Sequence, residues 1–152
     1  SKVFFSVSDV SQVVESDGYN YLIDEKKGLG PVAGLIKACE ANPKTDVILI
    51  GCDYPYLNDE MLDKLIKLND ESFLASAFFN MAENCYEPLL AMYKSECLPF
   101  LNYATGNNQN SLQKFLHTVK AHKVYPDSVK QIKSVDTIEE FKSVKKKKKK
   151  DS

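Results

Sequence analysis

Short apolar segments alternate along this chain with longer segments in which apolar residues return every three or four positions. The short segments have the length and composition of β-strands. They lie at residues 3–7, 19–23, 47–50, 73–79 and 86–93, with shorter extended pieces at 122–125 and 130–133. The alternation with helical segments predicts an α/β domain in which helices cover a sheet.

The first helical segment has recognisable start and stop signals. Pro31 suits the opening turn of a helix, where its missing N–H costs nothing, and Asn42 with Pro43 closes the segment. One apolar stripe at helical spacing runs between these ends. It consists of Val32, Leu35, Ile36 and Cys39. The pattern predicts an amphipathic helix with one buried face.

The second helical segment follows residue 57. Asn58 is its candidate N-cap, and the acidic Asp59 and Glu60 suit the first turn. Its predicted buried face is Met61, Leu62, Leu65, Ile66 and Leu68. Further helices are predicted at 95–103 and 111–117, and a last one begins after Asp136 or Thr137 as its cap.

The continuous apolar run Val47–Ile50 predicts a central parallel strand that is buried on both faces. Asp53 comes shortly after this run, before the turn at residues 54–56. Ligands of open parallel sheets bind beyond the carboxyl ends of the strands, and carboxylate oxygen is a ligand that Mg²⁺ prefers. Asp53 is therefore a candidate metal ligand, and an Asx-type turn ahead of Pro55 is the alternative.

The segment GLGPVAG, residues 28–34, holds three of the six glycines of the chain. It lies between the second predicted strand, which ends at Asp24, and the first predicted helix. Free N–H groups and the positive end of a helix dipole there suit an anionic ligand. The alternative is a tight connection that needs glycine only for its backbone angles. The segment matches neither G-x-x-x-x-G-K-[ST] nor G-x-G-x-x-G.

All 20 basic residues are lysines, and residues 1–144 carry 14 of them against 20 acidic residues. Because residues 1–144 carry more acidic than basic side chains, their folded surface is not expected to bind nucleic acid. We expect one domain at 1–144 and a disordered tail at 145–152, where Lys145–Lys150 is a run of lysine.

No apolar run approaches the length of a membrane span, so no membrane partner is expected. The four cysteines have no C-x-x-C spacing, and we expect free thiols and a cytoplasmic location.

Five segments taken in order resemble the molybdenum cofactor guanylyltransferases, which are nucleotidyltransferases with a Rossmann-like fold. The segments are LIDEKKGLGPVAGL (22–35), DVILIGCDYPYLNDEMLDKL (46–65), YEPLLAMY (86–93), GNNQNSLQKFL (106–116) and SVDTIEEF (134–141). The most specific element is a GPLAG-like turn followed by a CDxP strand end. The resemblance implies a three-layer α/β fold with a mainly parallel sheet and helices on both faces.

The resemblance also implies a reaction, in which GMP passes from GTP to molybdenum-bound molybdopterin with Mg²⁺ as cofactor and pyrophosphate as product. The metal- and nucleotide-binding aspartate of the family falls on Asp53, and its acidic GTP contact falls on Asp24. Gly30 and Pro31 belong to the nucleotide-side turn, and a further nucleotide contact falls on Ser6. Contact with other proteins of molybdenum cofactor biosynthesis, or with acceptor proteins, is implied as well.

The chain departs from the family pattern in two places. Nothing in it matches the first strand and the phosphate loop L-A-G-G-x-S-x-R-M-G, and the late N-V-N-T-P-E-E-L reads S-V-D-T-I-E-E-F. The chain also has no arginine, the usual bidentate partner of phosphate. We therefore expect an N-terminally incomplete nucleotidyltransferase domain or a catalytically inactive binding or scaffold paralogue. A related CTP- or sugar-phosphate nucleotidyltransferase is the enzymatic alternative.

Overall fold

The computed structural model of the chain describes residues 2–13, 18–23, 28–135 and 137–143. The strands are β1 (Phe4–Val7), β2 (Asn20–Ile23), β3 (Val47–Ile50), β4 (Ala75–Asn80), β5 (Cys85–Tyr93) and β6 (His122–Val124). The helices are α1 (Pro31–Ala41), α2 (Asp59–Lys67), α3 (Cys97–Gly106) and α4 (Leu112–Thr118). The α/β prediction is confirmed. The predicted extended piece at 130–133 is wrong, because Val129–Ile132 forms a 3-10 turn closed by a Ser128–Gln131 capping box.

The described strands form two sheets. β1 and β2 pair in parallel, and the larger sheet has the order β3-β5-β4-β6. β5 runs antiparallel to both β3 and β4, while β4 and β6 are parallel. Three of the four strands of the larger sheet therefore share one direction, and β5 opposes them.

Two apolar clusters cover the two faces of the larger sheet, which confirms the predicted layers. α1, α3 and α4 pack on one face against residues that include Ala77 and Phe79. α2 and the 3-10 turn at 129–132 pack on the other face, where Phe78 and Leu90 are buried. Successive strand residues point to opposite faces, so Phe78 faces one cluster while its neighbours face the other.

Helix α1 joins the two sheets. Its predicted stripe from Val32 to Cys39 is buried, and the helix ends at Ala41 with Asn42 as C-cap. It contacts β1 and β2 of the small sheet and β3 of the large one. Gly34 permits the close approach to β1, because a methyl group there would collide with the Ser6 side chain. A glycine inside a helix is thus required by packing at this contact.

The prediction that Val47–Ile50 is a central strand buried on both faces is wrong. Within the described part of the chain β3 pairs only with β5, in the antiparallel sense, and forms an edge of the larger sheet. Ile50 is 43 % exposed. A run of apolar residues indicates that other parts of the protein cover the segment. It does not distinguish a strand that pairs with a strand on each side from a strand that has one paired neighbour and packs against a helix.

Strand β5 contains a large bulge. Ala77 of β4 pairs with Ala91 and Phe79 pairs with Tyr86, so the four residues Glu87–Leu90 of β5 lie opposite Phe78 alone. Pro88 lies within this segment, where it has no N–H to donate to a neighbouring strand. The carbonyl of Pro88 is satisfied from elsewhere, because it accepts the Tyr93 hydroxyl hydrogen at 2.9 Å.

The predicted N-cap of α2 is confirmed, and Ser111 caps α4. The Asn58 side chain accepts the Met61 N–H at 3.0 Å, and Ser111 accepts that of Lys114 at 3.2 Å. Thr137 caps the last helical segment, at 138–143, by accepting the Glu140 N–H. The alternative cap Asp136 and the predicted lysine tail from 145 lie outside the described residues.

The predicted free state of all four cysteines is confirmed. Cys39 and Cys97 are buried, and burial raises their pKa values to about 11 and about 12. Cys52 is exposed, although it closely follows the apolar run Val47–Ile50 in the sequence. Among the helices of the described ranges, none combines the length and apolar character needed to cross a bilayer.

A pair of truncations in α2 tests the second apolar cluster. Leu65 is 1 % exposed within that cluster, whereas the next residue, Ile66, is 51 % exposed, contrary to the sequence prediction. We expect Leu65→Ala to lower the free energy of unfolding by about 2–5 kcal/mol, because it leaves a cavity. Urea unfolding measures the loss. Ile66→Ala is the matched control and should change the value by less than about 1 kcal/mol; equal losses would contradict this burial pattern.

Candidate functional site

The turn that carries Asp53 leaves the larger sheet directly at the end of β3. The Gly51 N–H donates to the Leu89 carbonyl at 2.8 Å, which extends the β3–β5 pairing one residue beyond Ile50. Asp53 therefore lies at the carboxyl end of β3, as the sequence predicts.

The carboxylate of Asp53 has an oxygen without a partner. Oδ1 is buried, and no hydrogen-bond donor among the described residues reaches it. Two other buried atoms, Asn110 Oδ1 and His122 Nδ1, are in the same condition. Asp53 is distinguished from them by its position and its negative charge, since an unpartnered buried carboxylate oxygen is costly unless a cation or donor binds it.

Gly51 is packed tightly beneath this turn. A β-carbon on Gly51 would lie 2.5 Å from Asp53 Oδ1 and 2.9 Å from the Tyr54 ring carbon Cε2. Both side chains therefore fold over the bare α-carbon of Gly51. The Asp53 carboxylate and the Tyr54 ring therefore share the space next to Gly51.

A late segment of the chain also closes on the turn. The Val135 N–H donates to the Asp53 backbone carbonyl at 2.8 Å. Ser134 and Val135 belong to the SVDTIEEF segment of the family resemblance, so the structure brings that segment to Asp53. Nothing in the local sequence of either segment indicates this pairing.

A second carboxylate lies near Asp53 and was left unassigned by the sequence. Glu87, in the β5 bulge, accepts the Tyr54 hydroxyl hydrogen on Oε2 at 2.9 Å. Burial raises the pKa of the Glu87 carboxyl; hydrogen bonds from Tyr54 and Asn80 act in the opposite direction, and the charges of Glu83 and Asp53 raise it further. Burial, followed by the charge of Glu87, raises the pKa of Tyr54 strongly, so that its hydroxyl stays a donor.

The sequence signal for Glu87 is the proline that follows it. Proline within a strand pattern is unusual, and the sequence alone left open whether it marks an edge strand or a kink that faces a ligand. β5 lies between β3 and β4, so Pro88 marks a bulge in an interior strand. Bulges are frequent beside active sites, where they redirect a side chain.

The other predicted site residues lie at β1 and at the start of α1. Gly30 is the N-cap of α1 at φ 63° and ψ −151°, a conformation open essentially to glycine, and Pro31 begins the helix. Ser6, in β1, lies against Gly34 of α1. Asp24 falls outside the described residues. Among those described, no hydrogen bond or ion pair joins Asp53 to Ser6, Gly30 or Pro31.

Both histidines pack against aromatic rings. The His117 ring lies 4.9 Å from that of Tyr86, and the His122 ring lies 5.2 Å from that of Phe73. His122 begins β6, at the end of the sheet opposite Asp53. In the described parts of the chain no three His, Cys, Asp or Glu side chains gather as a metal site.

Comparison with known proteins gives a family match. A family model described as the MobA-like NTP transferase domain matches residues 1–124. A probable molybdenum cofactor guanylyltransferase of Methanocaldococcus jannaschii is 31 % identical over 127 residues, which are 76 % of this chain and 60 % of the relative. The molybdenum cofactor biosynthesis bifunctional protein of Synechocystis is 24 % identical over 120 residues, 79 % of this chain. This chain spans 35 % of the length of that bifunctional protein.

Solved structures share the fold. The molybdopterin-guanine dinucleotide biosynthesis protein A of Archaeoglobus fulgidus aligns with a TM-score of 0.73 at 20 % identity, over 97 % of this chain and 78 % of that one. A putative protein of Aquifex aeolicus aligns with a TM-score of 0.67 at 16 % identity, over 78 % of this chain and 63 % of that one. The α/β architecture described above is therefore that of a known fold.

A substitution at Gly51 tests the packing of the turn. We expect Gly51→Ala to lower the free energy of unfolding by about 1–3 kcal/mol, because the added methyl overpacks against Asp53 and Tyr54. Urea unfolding measures the change. Gly106→Ala is the matched control, since nothing lies within 4 Å of its α-carbon substituent position. Gly106 ends α3, and alanine there should be neutral or stabilising. Equal stability of the two variants would show that Gly51 is not packed in this way.

Proposed function

The chain belongs to the MobA-like NTP transferase family, and from this premise we propose that it is the metal- and nucleotide-binding part of a molybdenum cofactor guanylyltransferase. In the proposed reaction GMP passes from GTP to molybdenum-bound molybdopterin, and pyrophosphate is released. The observation that carries the proposal is the buried, unpartnered carboxylate oxygen of Asp53 at the carboxyl end of β3. The names of the curated relatives favour the guanylyl reaction over related transfers.

The proposed chemistry is a displacement at phosphorus. An oxygen of the terminal phosphate of molybdopterin forms a bond to the α-phosphorus of GTP. The bond from that phosphorus to the bridging oxygen breaks, and its electron pair leaves with pyrophosphate. The protein contributes by holding the two phosphates in line and by neutralising their charge.

Asp53 is the residue proposed to hold Mg²⁺. The fit rests on a hard, anionic oxygen that is buried at a strand end without a donor from the described chain. Mg²⁺ is commonly held by one or two carboxylates together with substrate phosphates and water, so a single aspartate suits it. Mg²⁺ bound there supplies positive charge to the phosphate oxygens of the nucleotide.

The start of α1 is proposed to face the nucleotide. No side chain of the described residues caps this helix, and the Ala33 N–H donates to the Gly30 carbonyl at 3.1 Å. The positive end of the helix dipole is therefore proposed to attract the anionic ligand, and Gly30 lets that ligand approach the backbone. Pro31, Ser6 and Asp24 complete the proposed nucleotide contacts. In a chain without arginine, backbone N–H groups and lysines must provide the donors for phosphate.

Replacement of the metal aspartate tests the site. We expect Asp53→Asn to lower the affinity for Mg²⁺ in the presence of GTP by at least about 10-fold and to abolish Mg²⁺-dependent pyrophosphate release. Isothermal titration calorimetry measures binding, and a pyrophosphate assay measures turnover. Because the substitution removes the charge of a carboxylate that has a buried, unpartnered oxygen, the free energy of unfolding should stay unchanged or rise.

Asp63→Asn is the matched control for this variant. Asp63 is an exposed acid on α2 that pairs with Lys67, so the same change of charge is made without touching the Asp53 turn. Binding and turnover should match those of the unsubstituted protein. Undiminished Mg²⁺-dependent binding in Asp53→Asn would contradict the assignment of the metal to Asp53.

A comparison of nucleotides tests the choice of substrate. With Mg²⁺ present, we expect GTP to raise the melting temperature more than CTP or ATP, since stabilisation grows with ligand concentration relative to Kd. A ligand at about 100 times its Kd stabilises by about 2.7 kcal/mol. A larger shift with CTP would favour the related CTP-dependent transferases. The absence of a shift with all three would favour a binding or scaffold role.

A further inference from the structure

We propose that Glu87 is a positioning residue of the Asp53 turn, and that it acts through the hydroxyl of Tyr54 to fix the direction of the Asp53 carboxylate. This inference rests on the proposed function, because it concerns the residue to which Mg²⁺ is assigned there. Glu87 itself is not proposed to contact the metal or the substrate.

The bulge in β5 directs Glu87 to this end of the sheet. Four residues of β5 lie opposite Phe78 of β4, which removes Glu87 from regular pairing with β4. On the other side of β5, Leu89 accepts the Gly51 N–H. The same short segment therefore holds the β3 end by a backbone hydrogen bond and the following turn by a side-chain hydrogen bond.

Side chains on two sides act on the Glu87 carboxylate. Tyr54 donates to it from the turn after β3 at 2.9 Å, and Asn80, at the end of β4, lowers the pKa of the Glu87 carboxyl against the effect of burial. Asn80 is itself buried, and its Oδ1 accepts the N–H groups of Ala82 and Glu83.

The constraint passes from Tyr54 to Asp53 through Gly51. The Tyr54 ring and Asp53 Oδ1 both pack over the α-carbon of Gly51, at distances that leave no room for a β-carbon. A Tyr54 ring held at its hydroxyl therefore limits the space into which the neighbouring carboxylate can turn. Asp53 Oδ1 has no hydrogen bond of its own among the described residues, so packing is what orients it.

The test compares Mg²⁺-dependent GTP binding in four variants of the full chain. We expect Glu87→Ala and Tyr54→Phe each to raise the Mg²⁺ concentration at half-saturation by about 10-fold, the scale of groups that orient a metal ligand. The Glu87→Ala/Tyr54→Phe double variant should be no worse than either single variant, because both remove one link. Glu87→Gln keeps an acceptor for the Tyr54 hydroxyl and should recover most of the affinity.

Glu83→Ala is the control, since it removes an exposed acid of the same hairpin. It should leave half-saturation unchanged. If Glu87→Ala binds Mg²⁺ and GTP like the unsubstituted protein, the inference is overturned and the proposed function stands. If Glu87→Gln is as impaired as Glu87→Ala while Tyr54→Phe is normal, the charge of Glu87 acts directly and the inference is overturned.

Hydrogen exchange separates this inference from the proposed function. If the unsubstituted chain shows no Mg²⁺-dependent GTP binding, the proposed function fails, and positioning is judged by amide exchange at residues 51–57, followed by mass spectrometry. Faster exchange there in Glu87→Ala and Tyr54→Phe, at an unchanged melting temperature, supports positioning. Unchanged exchange at these residues overturns it.

Discussion

The missing N–H of Pro88 is the constraint on which the arrangement of this site depends. β5 lies between two strands, where every residue is expected to donate to a ladder, and proline cannot. The strand accommodates it by a bulge of four residues opposite one. Two carbonyls of the bulge bond to other groups, with the Tyr93 hydroxyl donating to Pro88 and the Gly51 N–H donating to Leu89. The bulge in β5 thereby supports the turn that follows β3.

The Asp53 turn combines firm support with an unfavourable charge. Its backbone is held on two sides, by Leu89 through Gly51 and by Val135 at the Asp53 carbonyl. Its carboxylate has a buried oxygen without a donor from the described chain. Stability alone gives no reason to retain this carboxylate. An unfavourable side chain on a backbone that is held in place is the arrangement expected of a binding site.

Much of the fold could be predicted from the sequence, because local signals specify it. The α1 stripe, the Asn58 cap and the strand segments of β4 and β5 follow from spacing and cap chemistry that a short window contains. The edge position of β3 could not be predicted, since Val47–Ile50 reads alike whether a strand or a helix covers it. Asp53 followed from its place after a strand and from the family resemblance. Glu87 did not, because its partner Tyr54 is 33 residues away and only Pro88 hinted at a special conformation.

The contact between Val135 and Asp53 has a consequence for the order of events during synthesis. Strand β3 and the turn after it leave the ribosome long before residue 135 does, and the bulge that supports the turn comes between them. The strands can pair as they emerge, but the Asp53 carbonyl gains its last hydrogen bond only when the segment after the 3-10 turn has folded back. Contacts between distant parts of a chain form late, because a long loop must close first. The Asp53 turn is therefore completed after the strands that support it have paired.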